Sequence, residues 1–145
     1  ALLYVVHPPI MTWLSAPLPT WLRWIGVGLG ALSLPALIWV QTTLGKYWSR
    51  NLQLQDRHEL ITTGPYRWVR HPGYLVIFAA MTTIALVSAS WLVIAPALAA
   101  MIVIYSRIDN EEEMLIEAFP DAYPAYMART GRLIPRLRTL RTPDA

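Results

Sequence analysis

The chain has 145 residues, 55% of them hydrophobic and only 14% charged, with a formal net charge of +3. That length allows one domain, and a soluble fold of this size has too little interior to hide so much apolar surface. Seven Trp and seven Tyr stand against two Phe, a bias towards the amphipathic aromatics favoured between hydrocarbon and water. There is no cysteine, which excludes disulfides, thiolate metal ligands and a thiol nucleophile.

In chain order, residues 1–19 carry Pro8, Pro9, Pro17 and Pro19, which forbid a continuous helix. They read as an irregular lead-in or the remnant of an earlier hydrophobic helix, and a start at Ala1 is compatible with processing or truncation. Residues 21–44 are apolar apart from Arg23 and Gln41 and predict a first membrane helix, roughly 36 Å long and kinked at Pro35. Residues 45–73 turn polar and predict a long loop, of a length that is uncommon in compact domains unless it carries function. Residues 74–105 are almost wholly apolar, broken at Ser88-Ala89-Ser90. As one helix they would run roughly 48 Å, so a helical hairpin turning at the serines is the expectation, with a single long projecting helix as the alternative. In the C-terminal segment 106–145, residues 107–130 predict a helix leaving the membrane, interrupted by Pro120 and Pro124, with a short helix near Ala122–Thr130 that has Tyr123 and Tyr126 on one side, and Gly131 to Ala145 predict a surface stretch. The fold class expected is an all-α integral membrane protein with about three transmembrane helices.

Eleven of the twelve basic residues lie in the 45–73 loop or from Arg107 onward. The positive-inside rule puts both regions in the cytoplasm and residues 1–20 outside. The tail is mixed in sign, with six basic and seven acidic residues over 106–145, so anionic lipid is not its evident target.

Two polar clusters then fall on one predicted side of the membrane: Gly64-Pro65-Tyr66 with Arg70-His71-Pro72-Gly73-Tyr74, and Arg107 with Glu111-Glu112-Glu113. Arg107 and Glu111 are four apart, so on a helix their side chains are neighbours, offering a carboxylate and a guanidinium to an amino acid group. The plainer reading is two solvated interface residues, with Arg107 snorkelling. His71 precedes proline, which biases its backbone to the extended region and fixes the ring before a helix that opens at Pro72; the plainer reading there is a polar start to a helix. His7 and His58 have no metal-ligand spacing, and no metal is expected. Dinucleotide, P-loop and nucleophile-elbow motifs are absent from the sequence, and the split basic residues do not make a nucleic-acid patch.

The run Leu60 to Tyr74, with Arg107-Ile108-Asp109-Asn110-Glu111-Glu112, Phe119 to Tyr126 and Gly131-Arg132-Leu133-Ile134-Pro135, resembles the isoprenylcysteine carboxyl methyltransferase family and the related phospholipid methyltransferases, over roughly residues 44–136. The resemblance implies S-adenosyl-L-methionine in a cytosolic pocket roofed by the C-terminal segment and open sideways to the bilayer for a lipid-like or prenylated acceptor. It implies that His58, Glu59, Leu60 and Ile61 line the adenosyl part, that Tyr66 contacts the cofactor, and that His71, Pro72, Gly73 and Tyr74 hold its amino acid end. Glu111 would bind the cofactor, Glu112 would bind it or support the site, and Arg107 would hold the substrate carboxylate. One departure is Pro120, where many relatives have glycine. Two other readings compete: an NADPH-dependent reductase of the sterol-reductase type, for which Arg67 and Arg70 would meet the extra phosphate, and a non-catalytic membrane scaffold.

Overall fold

The computed structural model describes residues 13–45 and 60–136. His58, Glu59, most of the polar loop, the start of the lead-in and residues 137–145 lie outside the described residues. The elements are all helical: α1 (Thr20–Leu44), a 3-10 turn (Gly64–Arg67), α2 (Pro72–Ser88), α3 (Trp91–Ala118) and α4 (Ala122–Arg129). Helices α1 and α3 are long and apolar enough to cross a membrane. Helix α2, with 17 residues, runs roughly 26 Å, about a turn short of a ~30 Å hydrocarbon core. Two helices therefore meet the length criterion, where the sequence suggests about three crossings.

The main helix–helix contact joins α1 to α2 along a stripe of small residues. The buried positions of α1, Gly26, Ser33 and Val40, recur every seven residues, the spacing that keeps one helix facing a neighbour. A Cβ at Gly26 would lie 2.9 Å from Leu86 Cβ, and one at Gly30 would lie 2.7 Å from Thr83 Cγ2. Glycine at these two sites lets the backbones approach, which matters most where no hydrophobic effect pushes helices together. Ser33 satisfies its own hydroxyl by donating to the Leu29 carbonyl at 2.8 Å. Arg23, the one cation outside the two charged regions, donates from Nη2 to the Val87 carbonyl at 3.1 Å. It thereby caps the last turn of α2, where orphan carbonyls and the helix dipole favour a cation.

The serine break is the hairpin turn. Ala89 takes left-handed angles, φ 47 and ψ 43, its amide donates to the Ala85 carbonyl at 3.2 Å, and its own carbonyl accepts from Ala16 at 2.8 Å. Beyond the turn the second arm and the helix leaving the membrane are one element: α3 runs unbroken from Trp91 to Ala118. No Gly or Pro falls between Tyr105 and Ala118, so nothing stops the helix when it passes from apolar to charged sequence. The stop comes at Phe119, with φ −134 and ψ 67, because the following Pro120 disfavours helical angles there. Pro124 sits in the first turn of α4, where its missing amide proton costs no helical bond.

Candidate active site at the charged end of α3

The loop leading into α2 is shaped by a few special residues. Gly64 has φ +57, and a Cβ there would lie 2.8 Å from Thr43 Oγ1, so both conformation and space call for glycine. Trp68 packs edge-on against Trp39 of α1, with centroids 5.7 Å apart. Residues 68–71 then pair with the stretch after α4: Gly131 donates to the Trp68 carbonyl at 3.3 Å, Arg70 donates to Gly131 at 2.8 Å, and His71 donates to Arg132 at 3.1 Å. Tyr126 of α4 fastens the same loop, donating its hydroxyl to the Tyr66 carbonyl at 2.6 Å. Burial pushes the Tyr126 phenol up to about 12 and moves the Tyr66 phenol further in the same direction, so both are neutral hydroxyls.

Beneath this short two-strand contact lies Glu112. On α3 the buried positions Ile108 and Glu112 are four apart, one face of the helix turned into the protein, and Glu112 is only 3% exposed. Its Oε1 accepts from Arg70 Nε at 2.8 Å and lies 3.2 Å from His71 Nε2. Its Oε2 accepts from Arg132 Nη2 at 2.6 Å. Arg132 also reaches Asp109 Oδ1 through Nη1 at 2.8 Å, and Arg70 Nη1 donates to the Thr130 carbonyl at 2.6 Å and the Met127 carbonyl at 3.2 Å. A buried carboxylate is costly unless paired and fully hydrogen-bonded; here two guanidiniums and an imidazole complete it. The contact with Glu112 holds Arg132 above the ordinary arginine range.

Glu111 is differently placed. Its Oε2 is buried without a hydrogen-bond partner and lies 3.9 Å from His71 Nδ1. Buried acceptors of this kind are rare and call for an explanation, a bound group being one. The His71 ring is buried, 5% exposed, and tilts against Tyr74 with centroids 5.7 Å apart. Burial lowers the basicity of His71 below the ordinary 6.5, a shift that Glu111 and Glu112 only partly offset. Tyr123 is 1% exposed, and its buried hydroxyl also lacks a partner.

The structure thus brings His71, Glu111 and Glu112 together, with Tyr74 on the neighbouring turn of α2. Pro72 is buried, Leu60, Ile61, Tyr66 and Gly73 are half-buried along the same loop, and Arg107 is exposed one turn before Glu111. Arg107 and Glu111 share a helix face, as their spacing suggests, and each bears on Tyr74. Four residues hold the frame of the site: Arg132, Asp109 and Tyr126, to which the sequence assigns no role there, and Arg70, which it offers as a phosphate contact in the reductase reading. The available signal is the closing segment Gly131-Arg132, but its partners lie 61 positions away in His71's loop and 20 positions away at Glu112, so no local pattern reveals them. No group of three or more metal-binding side chains suited to an ion occurs among the described residues.

Comparison with known proteins matches this framework. Residues 24–117 match the model of the isoprenylcysteine carboxyl methyltransferase (ICMT) family. The structure of the eukaryotic intramembrane Ras methyltransferase ICMT superposes with a TM-score of 0.68 at 29% identity, covering 80% of this chain and 43% of that one. The nickel-cobalt-cadmium resistance protein NccN of Alcaligenes xylosoxydans is 31% identical over 90% of this chain and 56% of its own length. The cobalt-zinc-cadmium resistance protein CzcN of Cupriavidus metallidurans is 30% identical over 90% and 55%. An uncharacterized protein of Bacillus subtilis, YpbQ, is 33% identical over 43% of this chain and 38% of its own. The chain thus spans about half the length or less of these relatives. With the matched segment running from α1 through nearly all of α3 and the solved relative sharing the helical arrangement, the chain belongs to the isoprenylcysteine carboxyl methyltransferase family.

Proposed function

We propose that the protein is an integral membrane methyltransferase that uses S-adenosyl-L-methionine to methylate a carboxylate on a lipid-like acceptor, such as a prenylcysteine, at a site on the cytosolic side. One observation carries the reading: a buried Glu111 oxygen without a partner, 3.9 Å from His71 Nδ1. A carboxylate oxygen beside a ring nitrogen suits the ammonium of an amino acid, which brings the donors this place lacks. The chain therefore fits the amino acid end of the cofactor with Glu111, His71 and Tyr74, and its adenosyl part would run along Leu60, Ile61 and Tyr66 towards His58 and Glu59. When bound, that cofactor supplies a methyl group on a sulfonium for displacement by an oxygen nucleophile.

The work left to the protein is alignment and exclusion of water, since a carboxylate is already a nucleophile at neutral pH. Exposed on the face of α3 that carries Glu111, where the apolar stretch ends, Arg107 is suited to hold the acceptor carboxylate while leaving one oxygen free. Arg107→Ala then abolishes methyl transfer to a prenylcysteine carboxylate while S-adenosylhomocysteine still binds; unchanged turnover removes this role. The NADPH reading is weakened because Arg70, one of its two phosphate ligands, is committed to Glu112 and two backbone carbonyls.

A further inference from the structure

We infer that the two adjacent acids divide their work: Glu112 does not bind the cofactor but fixes the tautomer of His71, so that Nδ1 is presented beside Glu111 as a hydrogen-bond acceptor. Glu112 is buried, 3% exposed, and both of its oxygens are engaged by protein donors. Oε1 already faces Arg70 Nε at 2.8 Å and His71 Nε2 at 3.2 Å, and Oε2 faces Arg132 Nη2 at 2.6 Å. Two guanidiniums on one carboxylate keep it ionised, and an ionised carboxylate only accepts. The nitrogen of His71 that faces it must therefore carry the proton. A second proton on Nδ1 is opposed by burial of the ring, the largest effect, and by the Arg70 charge, whereas Glu111 and Glu112 favour it. Tyr74 from α2 meets the ring without supplying a charge, being a neutral phenol. The net result is a neutral ring with its proton on Nε2 and a lone pair on Nδ1.

That lone pair and Glu111 Oε2 are two acceptors 3.9 Å apart. Neither satisfies the other; the Tyr74 hydroxyl bears on Glu111, yet Oε2 keeps no hydrogen-bond partner, which leaves a place that a ligand's donor would fill. Glu112 is in this sense a positioning residue that acts through His71, as partners of functional histidines commonly do. Arg132 holds Glu112 from the C-terminal stretch and is itself held by Asp109, so the segment after α4 helps to decide which nitrogen is free.

The tautomer assignment stands on the protein alone; its consequence for binding rests on the cofactor reading above. The test uses the full chain in detergent near neutral pH, labelled with 15N-histidine, with His71 signals identified by their loss in His71→Gln. Wild type should show a neutral His71 protonated on Nε2, and S-adenosylhomocysteine should shift the Nδ1 resonance. Glu111→Gln should weaken S-adenosylhomocysteine binding and keep the tautomer. Glu112→Gln should move population to the Nδ1-protonated form and weaken binding by about tenfold or more. A wild-type ring protonated on Nδ1 or on both nitrogens overturns the proposal, as does an unchanged tautomer in folded Glu112→Gln. Should that variant not fold, the wild-type and Glu111→Gln spectra still decide. If wild type shows the stated tautomer but binds no S-adenosylhomocysteine, the cofactor reading fails and the tautomer assignment survives.

Discussion

Glu112 on α3 and Arg132 after α4 meet at 2.6 Å, Oε2 to Nη2, with the carboxylate buried and the guanidinium about a third exposed. This contact joins the charged end of a membrane-length helix to the segment that pairs with residues 68–71. Removing one partner leaves a buried charge short of a bond, so Arg132→Ala should cost about 1–3 kcal/mol, less than for a fully buried pair because water reaches Arg132. Thermal unfolding in detergent checks this; a change within ~0.5 kcal/mol, the range of an ordinary surface substitution, would show the contact to be incidental.

Tyr123 and Tyr126 are three apart on α4 and both buried, yet they differ in one bond. The Tyr126 hydroxyl donates to the Tyr66 carbonyl at 2.6 Å, whereas the Tyr123 hydroxyl has no partner. Tyr126→Phe should therefore lower stability by about 1 kcal/mol, and Tyr123→Phe should leave the ligand-free protein unchanged or slightly more stable. Equal losses in the two variants would contradict this difference.

Gly131 has no room for a side chain. A Cβ there would sit 1.7 Å from the Ile134 carbonyl oxygen, and backbone cannot swing aside as a flexible side chain can. Gly131→Ala should displace the closing segment, at a cost above ~2 kcal/mol. Gly28→Ala, at a position with nothing within 4 Å, serves as the control and should be tolerated.

The pH dependence follows from His71. Its folded-state affinity for a proton is below the ordinary 6.5, burial being the main cause. The unfolded chain then takes up a proton near pH 6.5 that the folded chain refuses. Stability is present above that pH and is lost as pH falls towards the folded value, by up to about 1.4 kcal/mol per pH unit. Melting between pH 7.5 and 5 should show a steeper decline for wild type than for His71→Gln; identical slopes would mean that His71 is not the group responsible.

Much of this architecture was legible in the sequence because apolar length and Pro/Gly punctuation are local signals. The uninterrupted run at 21–44, the serine break at 88–90 and the Pro120 stop each act on a few consecutive residues. The helix leaving the membrane past Arg107 is legible for the same reason: backbone hydrogen bonds continue through a change of polarity unless a residue forbids them, and none does before Phe119. His71, Glu111 and Glu112 were flagged by their order and type. Their division of labour was not legible, because it depends on which oxygen meets Arg132, twenty positions further on and across the fold. The i, i+4 spacing of Arg107 and Glu111 makes them neighbours, and that both bear on Tyr74, from another helix, is again not a local signal.

The most direct test of the cofactor site is calorimetric binding to the detergent-purified protein, with S-adenosylhomocysteine beside NADPH, for wild type and the His71→Ala, Glu111→Ala double variant. Wild type should bind S-adenosylhomocysteine and not NADPH, and the folded double variant should lose that binding. Binding of NADPH alone, or of neither ligand by folded wild-type protein, would contradict the assignment of that site.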